Sequence, residues 1–287
     1  MIDNLSQRIK QFNRFELKYL VPLKQAEAVK ASIRKYMRPD TYGNKDGRYA
    51  IANLYYDSPD FRCYWEKEHG IKNRRKLRIR HYDTEDVLTE NTPVFLEIKQ
   101  RIDRVTQKRR AVLPYMDALR FCNNRQVPDH SAQDQAVIDE IYVMLWRYQL
   151  IPTIIVRYDR QAFIGLIYDA GMRVTFDTKL TFQAHPLHLH EKRSVLPFLS
   201  PDRVIMEIKV NERMPLWLTE LIAAQNLNLF RISKYCWSID AAWEMLGLQN
   251  RQPLADGVRE TLSSAYSIPL FWNKLSQSTQ NAKLKEM

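Results

Sequence analysis

Apolar and polar residues alternate in eight stretches of the chain. They lie at about 12–21 (FNRFELKYLV), 48–57 (RYAIANLYYD), 74–83, 92–101 (TPVFLEIKQR), 104–113 (RVTQKRRAVL), 152–163 (PTIIVRYDRQAF), 172–178 (MRVTFDT) and 203–210 (RVIMEIKV). A period of two puts alternate side chains on opposite faces of a strand, so each stretch reads as β. Between them a longer period predicts helices at about 23–37, 59–69, 114–122, 132–148, 215–226 and 233–247. Ser58 is expected to cap the second of these, with Pro59 at its first position. Many strands in roughly antiparallel order with inserted helices predict an α+β fold with a closed or nearly closed sheet.

On that period three cations in RRKLRIRHY, Lys76, Arg78 and Arg80, share one strand face, while Arg75, Leu77, Ile79 and His81 share the other. Like charges this close repel, so the row calls for an anion. A second device recurs three times: Glu16-Leu17-Lys18, Glu97-Ile98-Lys99 and Glu207-Ile208-Lys209. Each sets a carboxylate beside an ammonium on one face. Alternating Glu and Lys is ordinary on the wet face of an antiparallel sheet. Three copies beside a basic row suit a ligand better than mutual pairing. Tyr158 shares a face with Arg160, and Lys108 with Arg110, while Arg231, Ser233 and Lys234 stand where a helix begins and free amides favour an anion. If such a sheet closes with helices outside, charges line the lumen and form a tunnel for a phosphate chain. A barrel of about eight strands has a bore wide enough for one slim ligand.

Composition narrows the anion. The chain has 287 residues, 45% hydrophobic and 27% charged, enough to bury a large core. Lys and Arg number 44 against 33 Asp and Glu, a formal net charge of +11 that attracts polyanions. Seven glycines include no phosphate loop of either common pattern, so side chains must hold any phosphate. Cys63, Cys122 and Cys236 are scattered and odd in number, which excludes a disulfide framework and suits a reducing compartment. No signal-like or membrane-length apolar run occurs, and a cytoplasmic location is expected unless a partner ties the chain to a membrane. His185, His188 and His190 lack a recognisable ligand partner and read as exposed. Trp217, Trp237 and Trp243 read as packing, Cys63 as a packed thiol, and Arg74 and Arg75 as a solvated turn able to guide a polyanion.

Taken in order, FELKY, LYYDSPDF, KLRIRHY, VFLEIKQR, YDRQAF, MEIKV and RISKY resemble the VTC domain, the polyphosphate polymerase domain of the vacuolar transporter chaperone complex within the triphosphate tunnel metalloenzyme (CYTH-like) superfamily. The resemblance covers about 12–245 and is strongest to bacterial stand-alone forms. It implies an antiparallel eight-stranded β-barrel tunnel with helices outside, and Mn or Mg as the divalent metal. The implied activity is transfer of the γ-phosphate of ATP, or another nucleoside triphosphate, onto inorganic polyphosphate. By motif position Lys18, Arg78, Arg80, Lys99, Arg160, Ser233 and Lys234 would grip phosphate, with Tyr158 beside them. From the strand pattern rather than the resemblance, Lys209, Lys108 and Arg110 are expected to add substrate contacts, and Arg231 is expected to join them. Glu207 would be the metal ligand, with Glu97 and Glu16 as further carboxylates. Arg231 stands where the family usually has Lys, keeping the charge but changing its reach.

A tunnel triphosphatase is the alternative activity, since water can replace the phosphate acceptor. A non-catalytic module binding polyphosphate or nucleic acid is the other, although its three carboxylates would repel a bare polyanion; no nucleic-acid partner is expected. The organisation read from the pattern is an extension at 1–11, the tunnel domain at 12–247 and a tail at 248–287.

Overall fold

The computed structural model describes residues 14–83, 88–103, 105–192, 195–211 and 213–246. The expected extension at 1–11 and tail at 248–287 lie outside the described residues. The strands are β1 (Arg14–Pro22), β2 (Met37–Pro39), β3 (Arg48–Asp57), β4 (Asn73–Asp83), β5 (Pro93–Ile102), β6 (Val105–Pro114), β7 (Ile151–Gly165), β8 (Arg173–Gln183), β9 (Leu196–Pro197) and β10 (Arg203–Asn211). The helices are α1 (Leu23–Ile33), α2 (Arg62–Glu68), α3 (Tyr115–Asn124), α4 (Gln135–Arg147), α5 (Leu216–Ala224) and α6 (Lys234–Met245). All strands pair antiparallel in one α+β sheet, in the order β1-β10-β8-β7-β3-β4-β5-β6, with β2 added on β7 and β9 on β8.

The sheet is not closed into a barrel, which corrects the expected barrel tunnel: β1 and β6 are its two ends, and among the described residues no ladder joins them. It curls nonetheless, so that Cα atoms of β1 and β6 come within 8 Å. The free edge of β6 carries a run of exposed polar residues, Gln107 to Arg110. Charged side chains of this kind block edge pairing.

Side-chain parity assigns the two faces. The convex face is apolar and helix-covered: α3 and α4 pack on Leu54, Leu77, Ile79, Leu96 and Ile98, and α1 and α5 pack on Tyr19, Phe176, Met206 and Ile208. Not every helix lies outside. α6 fills part of the concave face, its Tyr235, Ile239 and Trp243 meeting Ile51, Tyr55, Ile154, Val156, Leu180 and Phe182. At roughly 1.5–3 kcal/mol for each large apolar side chain buried, this packing anchors the start of α6 beside the charged remainder of that face.

Two local departures have clear causes. β8 runs past the expected end at 178 because a bulge opposite Arg157/Asp159, with Lys179 at φ 49°, shifts the alternation by one residue. Arg173, Thr175 and Asp177 face inward before it, Leu180 and Phe182 after it. α2 begins three residues later than Pro59, after Phe61 in the left-handed region at φ 58°. Its amides are held by Asp57, whose carboxylate accepts from the backbone N–H groups of Ser58, Cys63 and Tyr64 at 2.8, 2.7 and 3.1 Å, while Ser58 Oγ accepts from that of Arg62 at 2.9 Å. Among the described residues no helix is long and apolar enough to cross a membrane.

Candidate functional site

The concave face holds three ion-pair clusters, each built on a buried carboxylate. The first follows from the β4–β5 register, which sets Arg78 opposite Glu97 and Arg80 opposite Phe95. Glu97 is fully buried. Its Oε2 accepts from Arg78 Nε at 3.0 Å and Nη2 at 2.7 Å, its Oε1 accepts from Lys108 Nζ at 2.9 Å, and Arg80 Nη1 lies 3.7 Å away. Burial alone would raise the Glu97 carboxyl, but Arg78, Arg80 and Lys108 outweigh it and hold it well below the usual carboxylate range. The Lys108 side chain keeps about 40% of its surface in solvent, but desolvation where its ammonium meets buried Glu97 brings it down to about 8 against the pull of that carboxylate. Arg80 is fixed further by donating to Asn53 Oδ1 at 2.8 Å and to the Tyr158 hydroxyl at 3.3 Å, and Arg78 by donating to the Tyr55 hydroxyl at 3.1 Å.

The second cluster centres on Asp177, also fully buried. Opposite it on β7, Arg160 donates from Nε at 2.7 Å and Nη2 at 2.8 Å, one to each oxygen. Lys234, at the first turn of α6, comes within 2.6 Å of Oδ2. Both cations lie over the Tyr158 ring, at 5.3 and 5.0 Å from its centroid. Burial would raise the Tyr158 phenol, but Arg80, Arg160 and Lys234 outweigh it and bring it down to about 8.

The third cluster explains two of the repeated tripeptides. β1 and β10 run antiparallel with Glu16 opposite Lys209 and Lys18 opposite Glu207, so each carboxylate faces the other strand's ammonium. Lys99, from the third copy on β5, donates to Glu16 at 2.7 Å and so spans the unpaired gap between the sheet's ends. Burial would raise Glu16, but Lys99 and Lys209 outweigh it and bring it to about 2. Glu207 is held well below its ordinary range by Lys209, Lys18 and Lys99 against its burial. Lys209 Nζ is 3.3 Å from Glu207 Oε1, yet the angles make no hydrogen bond, and that buried oxygen has no hydrogen-bond partner. Lys18 donates to the Ile232 carbonyl at 3.1 Å.

The remaining expected residues lie at the margins. Ser233 Oγ caps α6 by accepting from Cys236 N–H at 3.3 Å and accepts from Lys76 Nζ at 3.2 Å. Arg110 is exposed, its guanidinium 4.6 Å over the Phe95 ring. Arg231 is exposed and lies outside the three clusters, near Arg74. Sequence reasoning missed Asp177, Asn53 and Tyr55. Asp177 had a signal, because a carboxylate stood among the alternate positions of VTFDT; Asn53 and Tyr55 resemble ordinary strand residues.

The sequence profile of the VTC domain matches residues 13–242. The chain belongs to the VTC domain family. All three clusters, from Glu16 to Lys234, fall inside the matched span of this VTC domain. No curated protein matches the sequence. Among solved structures, the protein bh2851 from Bacillus halodurans, by its description a candidate adenylate cyclase, is 13% identical, with 77% of this chain and 94% of that one covered at a TM-score of 0.47. The PH1819 protein of Pyrococcus horikoshii OT3 is 12% identical, with 79% and 99% covered at a TM-score of 0.41.

Among the described residues no three His, Cys, Asp or Glu side chains gather as a ready metal cage. Within the VTC domain Glu207 is nonetheless suited to a hard cation: it is buried, ionised and has one oxygen without a hydrogen bond, and Glu16 lies within its electrostatic reach. Glu97 differs, because both of its oxygens are committed to Arg78, Arg80 and Lys108.

Proposed function

We propose that this VTC domain is a metal-dependent polyphosphate polymerase, moving the γ-phosphate of ATP onto the end of a polyphosphate chain on its concave face. The observation that carries the reading is the charge of that face. Around Glu16, Glu97, Asp177 and Glu207 stand Lys18, Lys99, Lys209, Arg78, Arg80, Lys108, Arg160 and Lys234, more cations than the carboxylates neutralise. A triphosphate carries about four negative charges near neutral pH, which such an excess can accept.

Phosphoryl transfer requires position and charge neutralisation more than covalent help from the protein. Arg78 and Arg80, held by Glu97, and Arg160 and Lys234, held by Asp177, would grip phosphate oxygens through charge-assisted bonds without reorganising. Lys18 and Lys99 would face the adjoining phosphates. An oxygen of the terminal chain phosphate attacks the γ-phosphorus, the bond to the β-phosphate oxygen breaks, and ADP leaves with that oxygen. Glu207, with Glu16, would hold Mn or Mg, which when bound supplies further neutralisation of phosphate charge.

The test is incubation with ATP and Mn, reading ADP, inorganic phosphate and long-chain polyphosphate separately. ADP and polyphosphate with little free phosphate is expected. ADP with stoichiometric free phosphate would make the protein a tunnel triphosphatase, and binding without turnover under any metal would make it a polyanion-binding module.

A further inference from the structure

Beside the cationic clusters stands a group of aromatic rings that phosphate chemistry does not call for. Tyr42, in the loop before β3, has its ring centroid 4.7 Å from that of Tyr82 and 5.5 Å from that of Tyr49. Tyr82 continues the group to Phe95 at 5.4 Å. Arg110 covers Phe95 at 4.6 Å and Arg80 lies 5.8 Å from the Tyr82 centroid. The rings are not sealed in a core: Tyr42 is 56% exposed, and Tyr49, Tyr82 and Phe95 are each half-buried.

The placement joins this group to the phosphate-gripping residues. Tyr49 pairs in register with Arg160, and Tyr82 follows Arg80 by two residues on the same face of β4. At about 3.4 Å of rise per residue, the Tyr82 ring begins roughly 7 Å along the strand from Arg80, a separation that a nucleoside triphosphate spans. The arginines of the site lie within electrostatic reach of Tyr42 itself: burial, Tyr82 and Tyr49 raise its phenol, and Arg110 and Arg80 only partly oppose them. Aromatic faces are electron-rich and offer a phosphate chain nothing, whereas a purine stacks on them and a guanidinium closes over the stack.

We infer that Tyr42, Tyr82 and Phe95, with Arg110, form a platform for the nucleobase of the triphosphate donor. The inference rests on the reading above that the neighbouring cations bind the donor's phosphates. The platform makes the base a source of affinity and gives the site a preference for nucleotides over bare phosphate chains. It takes any base with a stacking face, since ring contacts alone do not read hydrogen-bond edges.

Isothermal titration of ATP and of ribose 5-triphosphate, which lacks only the base, tests this on the full chain and on Tyr42→Ala and Tyr42→Phe. Tyr42 is exposed enough for both variants to fold. The wild type is expected to bind ATP about tenfold more tightly than ribose 5-triphosphate, as one stacked base provides. Tyr42→Ala should abolish most of that ratio and Tyr42→Phe should keep it. Equal affinity of the wild type for the two ligands, or a Tyr42→Ala loss shared equally by both, overturns the platform and leaves the phosphate reading intact. If the wild type binds neither ligand, the phosphate reading fails and the platform with it.

Discussion

Asp177 and Glu97 show how single buried carboxylates organise the site. Each fixes cations that would otherwise repel one another, and each is fully buried, so removing either leaves charges uncompensated. Asp177→Asn is expected to lower stability by about 3 kcal/mol in urea unfolding and to reduce kcat/KM at least tenfold. Arg160→Lys would lose the two-pronged contact and should lower kcat/KM in the same direction. The pH response follows from two other residues. Lys108 is pushed down to about 8, so it loses its charge as pH rises through that value, and Tyr158, brought down to about 8, becomes a phenolate over the same range. Both changes weaken a site for anions, so turnover should fall on the alkaline side near pH 8. A kcat/KM profile of Tyr158→Phe should retain only the Lys108 limb, at a similar pH and with a shallower slope.

At the scale of elements, α2 and α6 are tied through Asp57. Beyond the amides of α2 it accepts from the Tyr235 hydroxyl on α6, so one buried side chain sets the approach of both helices to the concave face. Asp57→Ala would leave these donors unpaired and is expected to cost about 3 kcal/mol or more, read from the urea midpoint with an unchanged m-value. None of this was legible in LYYDSPDF, where Ser58-Pro59 has the form of a helix start. The true start depends on Phe61 entering the left-handed region, which no local propensity favours. Of the tripeptides only the shared face was legible, because strand alternation alone puts Glu16 and Lys18 on one side; their mutual pairing, which the sequence pattern ranks below a ligand, depends on the β1–β10 register that brings Lys209 and Glu207 opposite them. β8 stopped short in the sequence for the opposite reason: its bulge at Lys179 breaks the alternation on which the reading depends.

Across the whole molecule the sheet curls without closing, and Lys99 to Glu16 is a side-chain link where a barrel would have a ladder. Closure was not readable from the strands, since it depends on how β1 and β6, far apart in sequence, meet at their edges. The inward α6 was hidden likewise, because its apolar face reads the same whichever side of the sheet it covers. Acid should loosen this link. Glu16 is brought from its ordinary value of 4.5 to about 2, so its folded form holds fewer protons than its unfolded form between those values. Its stabilisation is therefore present above about pH 4.5 and is lost as pH falls through about 2. Glu207 acts in the same direction, so Tm measured by calorimetry should decline below pH 4.5, and Glu16→Gln should flatten that decline.

The central claim, that the concave cations are a phosphate-chain site, is tested most directly by a crystal structure of the protein with tripolyphosphate. Phosphate density is expected on the concave face, with oxygens in hydrogen-bonding reach of Arg78, Arg80, Arg160 and Lys234. Density confined to the exterior arginines, with the concave clusters unchanged, would contradict it.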